Sequence, residues 1–434
     1  MSAAPVTPDA DVDELVEGDR VEVTIGDVAH GGHCVARIGG PHGRVVFVRH
    51  ALPGERAEVE ITEVHPGSYL RGDAVRILHA APQRVSPPCP WARPGACGGC
   101  DLQHVSVDGQ LEWKASVVRG QLARLAGLSP AEIDDLGVRV QPLPGGPLGW
   151  RSRVRYAVDA AGRAGLLQHR SHQVVPIDRC RIAHPALQDL DVTARHWAQA
   201  DAVEVVASSG GDVSVVTRST GGAARPDDDL GGVRAAGAAR QLEQGSAEVT
   251  EVAAGRSWRL PTEGFWQVHP AAADTLTTAV LDLLEPATGE TSWDLYGGAG
   301  LFAAALAGRT GARVSVVESS AAGVAAARSN LADLAGVEVI SAKVEIALAR
   351  RRVTGPVDLV VLDPPRTGAG ARVVAAIMQA APRAVAYVAC DPAALARDVG
   401  TFREAGWRLA ELRAYDCFPM TQHVECVALL VPPA

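Results

Sequence analysis

Cys390 stands at the end of an apolar run, "AYVACDPAALARD" (386–398), and is followed by Asp-Pro and the start of a helix. A free cysteine packed in a core behaves as a small hydrophobe, but at a strand tip the thiol is placed to act as a nucleophile. In "VLDPPRTG" a second strand ends at Asp363, whose two following prolines make a rigid tip that points a carboxylate outward. A further group of cysteines sits in "CPWARPGACGGC" and "IDRCRI", giving Cys89, Cys97, Cys100 and Cys180. One Cys-x2-Cys pair with two more cysteines suits zinc or an iron-sulfur cluster, since both take thiolates. Cys34, Cys417 and Cys426 are expected to be packing residues.

These groups need scaffolds to hold them. The chain has 434 residues, which predicts two or three domains. With 47% hydrophobic and 21% charged residues it reads as globular. No apolar stretch approaches the length of about eighteen residues a membrane helix needs, and no basic-then-apolar leader opens it. A cytoplasmic monomer with no membrane contact is expected. In that compartment eight cysteines do not imply disulfides.

The spacing predicts a disordered tail over 1–17 and a small β-barrel over 18–80, where short alternating runs such as "RVEVTIGDV" and "RAEVEITEV" are separated by Gly and Pro turns. A central α+β domain is expected over 81–265, with an amphipathic helix at "DGQLEWKASVVRGQLARLAG" and a loop insertion or poorly ordered hairpin over 220–256. Strands alternating with Ala-rich helices over 266–434 predict an α/β, doubly wound Rossmann-like domain that binds ligands at the carboxyl ends of its strands.

In that last domain "DLYGGAGLFA" places Gly297, Gly298 and Gly300 between a strand and a helix, so backbone can approach a ligand closely. The next strand ends at Glu318, where a carboxylate can accept hydrogen bonds from ribose hydroxyls. This pair fits a dinucleotide or S-adenosylmethionine equally. Asp-Pro-Pro at the fourth strand favours a nucleic-acid methyltransferase.

"DLYGGAG", "VLDPPRTG", "YVACDPAALARD" and "DCFPMTQHVECVALL" occur in the order and spacing of the RNA uridine C5-methyltransferase family, which the chain resembles over nearly its whole length. The barrel is similar to a TRAM domain, an RNA-binding module. The resemblance implies that Cys390 is the nucleophile, that Glu425 is the base removing the C5 proton, and that Asp363 orients the reacting groups. It places Gln267, Tyr296, Gly298, Glu318 and Asp363 around S-adenosylmethionine; Leu301 stands where relatives often carry Asn. It favours a [4Fe-4S] cluster on Cys89, Cys97, Cys100 and Cys180, with zinc as the weaker alternative.

The net charge of −9 speaks against RNA only in sum, because residues 148–184 hold seven arginines against two aspartates. Arg151, Arg153 and Arg155 alternate, so one strand would turn all three to a single face for phosphate contacts. Barrel and cysteine group together tilt the expected substrate to ribosomal RNA. The other readings are a tRNA uridine C5-methyltransferase and a non-catalytic RNA-binding iron-sulfur protein. Cytosine C5 methylation expects a Pro-Cys motif, and adenine methylation uses neither Cys390 nor Glu425.

Overall fold

The computed structural model describes residues 15–219, 239–353 and 356–433. The tail expected over 1–17 and the loop expected from 220 therefore lie largely outside the described residues. The chain begins as a closed barrel of β1 (Arg20–Ala29), β2 (His33–Ile38), β3 (Arg44–Arg49), β4 (Arg56–Val64) and β5 (Tyr69–His79). Its inward positions alternate as the sequence predicts: Val21, Val23 and Ile25 are buried while Glu22 and Thr24 face out.

Next come α1 (Val107–Leu125), α2 (Pro130–Leu136) and β6 (Val140–Pro142). Ser106 caps α1 by accepting from Gly109 N, and Ser129 with Glu132 forms a reciprocal box at the start of α2. This stretch does not pack within a central domain. Val118, Leu122, Ile133 and Val140 join the core of the C-terminal sheet, α1 lies on a late helix, and β6 adds the sheet's outermost strand. Apolar periodicity reveals that a helix has a buried face, not which neighbour covers it.

The remainder of the middle is a six-stranded sheet built from β7 (Arg153–Val158), β8 (Ala164–Leu167), β9 (Val174–Pro176), β10 (Ala202–Ala207), β11 (Val213–Ser219) and β12 (Ala239–Gln244), with the short α3 (Pro185–Gln188). β13 (Glu248–Ala253) and β14 (Arg256–Pro261) form a hairpin. Residues 239–244 and 248–253 are thus strands, where the sequence reading expected a loop or a poorly ordered hairpin.

The C-terminal part runs α4 (Ala272–Leu284), β15 (Ser292–Leu295), α5 (Leu301–Thr310), β16 (Val314–Glu318), α6 (Ala321–Asn330), β17 (Val337–Ser341), α7 (Val344–Ala349), β18 (Leu359–Leu362), α8 (Ala371–Gln379), β19 (Ala384–Ala389), α9 (Pro392–Glu404), β20 (Arg408–Asp416) and β21 (Glu425–Val431). The sheet order is β17-β16-β15-β18-β19-β21-β20-β6. β15 to β19 are parallel, as expected of a doubly wound fold, and their carboxyl ends share one edge. β21 runs antiparallel to β19, which brings its first residue, Glu425, to that same edge. β19 is buried at every residue, because helices cover both faces of the sheet.

Candidate active site

Three neighbouring strand ends build the reactive cluster. β18 pairs with β19 up to Leu362–Tyr387, so Asp363 leaves the ladder beside β19. On its other side β19 pairs with β21 through Ala389–Cys426, which sets Cys390 and Glu425 one step beyond that rung. Asp391 caps α9, its Oδ1 accepting from Ala394 N at 2.8 Å, and Pro392 fills the first turn. Ladder and cap hold the main chain on both sides of Cys390.

The electrostatics follow from burial. Glu425 is 2% exposed, and burial, then the Asp363 charge, push its carboxyl well above the usual range against the opposing effect of Arg366. Burial lifts Asp363 to about 7. The Cys390 thiol is pushed up to about 12, first by burial and then by Glu425 and Asp363, while Arg366 pulls it down. Two crowded carboxyl groups favour holding a proton between them, which is the condition for proton transfer at neutral pH. Arg366 was missed in the sequence although it lies in the same "DPPRTG" as Asp363. His423 was missed too; its Nε2 lies 3.4 Å from an Arg366 nitrogen, and burial lowers it to about 3, so it is a neutral ring.

The neighbouring crevice lies at the ends of β15 and β16. Glu318 accepts from Gly298 N at 3.0 Å and from Ser320 N at 2.5 Å, so backbone amides fix its carboxylate. Gly298 has φ +53°, and a side chain there would meet nothing within 4 Å, leaving open space above the turn. Tyr296 shares the left-handed region at φ +64°. Asp294 is fully buried and raised to about 7 by burial; its Oδ2 takes the Ala303 amide at 2.9 Å, while Oδ1 has no partner among the described residues. Gln267 follows buried Trp266 and stands two residues before buried His269, close to Phe265, which is 75% exposed. Leu301 opens α5 and is buried.

The loop that leads into Glu425 is clamped from below. Lys114 of α1 is fully buried and reaches Asp416 Oδ1 at 2.5 Å and Phe418 O at 3.1 Å. Gln110 accepts from Met420 N at 2.9 Å, Leu102 N donates to Met420 O, and Gln422 N donates to Asp101 Oδ2 at 3.1 Å. These contacts offset the cost of holding Met420 at φ +69°.

Residues 14–75 match the model of the TRAM domain, and residues 234–432 match that of the tRNA (Uracil-5-)-methyltransferase family. An uncharacterized RNA methyltransferase of Streptomyces avermitilis is 49% identical over 96% of this chain and 99% of its own. The chain belongs to the RNA uracil-5-methyltransferase family. Its counterpart in Streptomyces coelicolor, also an uncharacterized RNA methyltransferase, is 47% identical over 96% of this chain and 94% of its own. The crystal structure of Pyrococcus abyssi tRNA (uracil-54, C5)-methyltransferase with S-adenosyl-L-homocysteine shares the fold, with a TM-score of 0.66 at 23% identity over 94% of this chain and 99% of that one.

In this methyltransferase the four clustered cysteines line one cavity of about 60 Å³ together with Arg151, Arg155, Arg179 and Arg181. None is in a disulfide. Burial raises the thiols of Cys97, to about 11, of Cys100 and of Cys180. Among the described residues no three His, Cys, Asp or Glu side chains are grouped to hold a metal ion. Grouping therefore gives no support to either the [4Fe-4S] cluster or the zinc alternative; the thiols share one cavity lining. Cys34, Cys417 and Cys426 are buried.

The three-arginine face is also corrected. Alternation holds along β7, with Ser152, Val154 and Tyr156 buried. Arg153, however, is spent internally: it pairs with Glu251 at 2.8 Å and donates to the carbonyls of Thr262 and Gly264. Arg151 donates to the Arg153 carbonyl, and Arg155 is exposed with Glu204 at 3.9 Å. Strand periodicity assigns a face, but a second layer, here the β13–β14 hairpin, decides whether that face meets water.

Proposed function

We propose that this enzyme transfers a methyl group from S-adenosylmethionine to C5 of uridine in ribosomal RNA, in the cytoplasm and as a monomer. The observation that carries the reading is the meeting of Cys390, Asp363 and Glu425 at three adjacent strand ends. The crevice fits the cofactor: Gly298 leaves open space, Asp294 keeps a buried oxygen with no partner among the described residues, and Glu318 is fixed beside them. Gln267, Tyr296, Gly298, Glu318 and Asp363 would hold it, and when bound it supplies an electrophilic methyl on a sulfonium.

Uracil C5 is too weak a nucleophile to take that methyl unaided. Cys390 adds as thiolate to C6, which breaks the C5–C6 π bond and leaves an enolate with electron density at C5. Asp363 orients the reacting groups while C5 bonds to the methyl carbon as that carbon's bond to the sulfonium sulfur breaks, its electron pair leaving a neutral thioether. Glu425 then accepts the C5 proton, the double bond re-forms, and the Cys390 thiolate leaves. Arg366 offsets the cost of the thiolate in this acidic pocket. The base must be unstacked to reach the thiol, and Phe265 offers an exposed ring on which a base can stack.

Cys89, Cys97, Cys100 and Cys180 line one cavity, and that shared lining is what supports a [4Fe-4S] cluster held by their thiolates, with zinc as the weaker alternative. When bound it supplies a crosslink between two chain segments, 89–100 and 180. The division into an RNA-gripping barrel over 18–80, a central part over 81–265 whose α1, α2 and β6 pack onto the C-terminal core, and a catalytic part over 266–434 belongs to the same reading. Uridine in tRNA is the second reading, supported by the description of the matching family model.

The test is an adduct. RNA carrying 5-fluorouridine, which has no C5 proton to lose, is expected to leave a denaturation-stable complex with the enzyme and S-adenosylmethionine. Absence of that complex with a folded enzyme overturns the mechanism. Mapping 5-methyluridine in ribosomal and transfer RNA of a deletion strain decides the substrate.

A further inference from the structure

His30 lies in the turn between β1 and β2, far from the catalytic motifs in sequence, yet its Nε2 is 3.1 Å from Asp391 Oδ2. Asp391 is the residue next to the nucleophile. Its other oxygen caps α9, so the carboxylate is held by the helix on one side and by the barrel on the other. Asp391 is also one of the carboxylates that push the Cys390 thiol up, together with Glu425 and Asp363, while Arg366 pulls it down. The turn carrying His30 is seated firmly: a side chain at Gly32 would meet Asp101 Cβ at 2.8 Å and Gln422 Cβ at 3.2 Å. Asp101 in turn accepts from Arg49 at the end of β3 and from Gln422 N, in the loop leading to Glu425.

We propose that His30 is a positioning residue for methyl transfer: the barrel holds and offsets the Asp391 carboxylate beside Cys390, so its docking helps create the reactive thiolate. This inference rests on the assignment of Cys390 as nucleophile. The barrel then has two tasks. Besides gripping RNA, it completes the charge balance of the pocket, adding an imidazole donor to the guanidinium of Arg366. A hydrogen bond to a carboxylate withdraws negative charge from its surroundings, and near a thiol that favours ionisation.

The test is the single-turnover rate of adduct formation with saturating 5-fluorouridine RNA and S-adenosylmethionine, alongside RNA affinity measured by filter binding. His30→Ala is expected to slow adduct formation about tenfold, the effect of one pKa unit on the thiol, with RNA affinity unchanged. Asn caps helices as well as Asp. Asp391→Asn therefore removes the charge that His30 offsets, and the double variant should form adduct as fast as Asp391→Asn alone. His30→Gln, which keeps a donor, falls between, and serves as the test if the alanine variant does not fold. Weakened RNA binding with a normal rate at saturation would make His30 an RNA contact and overturn the proposal. So would a double variant that is as slow, relative to Asp391→Asn, as His30→Ala is relative to the native enzyme. Cys390→Ala is the control: adduct persisting there would sink the nucleophile assignment itself, not the role of His30.

Discussion

Two groups of cysteines are held in opposite ways. Cys390 sits on a strand tip between a ladder and a helix cap, among Glu425, Asp363 and Arg366, and stays partly accessible. Cys89, Cys97, Cys100 and Cys180 come from loops and border a cavity of about 60 Å³. Burial raises the thiols in both places, so burial alone does not make a nucleophile. Arginines stand near both groups; what sets Cys390 apart as the proposed nucleophile is the pair of buried carboxyls, Glu425 and Asp363, that can take a proton.

The sharpest way to break the contrast is Cys390→Ala. Turnover is expected to fall by roughly three orders of magnitude or more, with no adduct and an unchanged circular dichroism spectrum, because the proposed nucleophile would act by forming a bond and not by packing. A comparable loss from Cys100→Ser in a folded, iron-free protein would erase the distinction. Cys100→Ser is expected instead to lower iron and sulfide content and the unfolding midpoint.

The clamp beneath the pocket gives the next effect. Lys114→Met leaves Asp416 buried without its partner and is expected to cost about 3–5 kcal/mol in denaturant unfolding. Adding Asp416→Asn should recover much of this. Full stability of the single variant would show that the pair does not carry the loop before Glu425.

Smaller effects separate the arginines and the acid of the pocket. Arg155→Glu should weaken RNA binding and reduce the salt slope by about one, since it removes an exposed cation proposed to meet a phosphate. Arg153→Glu should lower the unfolding midpoint, because Arg153 pairs with buried Glu251. Asp363 tests the pocket by pH. Its folded carboxyl titrates near 7, whereas in the unfolded chain it titrates near 3.9. Between those values the unfolded state has released its proton and the native state keeps it, so the group's contribution to stability falls as pH rises. Asp363→Asn should therefore raise the unfolding midpoint more at pH 8 than at pH 4; an equal gain at both would remove the pH-linked cost.

The sequence by itself determined the parts whose geometry is local. Alternation marked the barrel strands, Gly297 to Gly300 marked the turn after β15, and Asp363, Cys390 and Glu318 stood at strand ends because a parallel sheet aligns its carboxyl termini. Tertiary structure alone decided who meets whom. The antiparallel return of β21 carries Glu425 to Cys390, α1 buries Lys114 under Asp416, and the β13–β14 hairpin consumes Arg153. Likewise the barrel turn brings His30 to Asp391 across some 360 residues of chain. Periodicity encodes which face of an element is apolar, whereas long-range contacts depend on how layers stack, and no short stretch of residues contains that information.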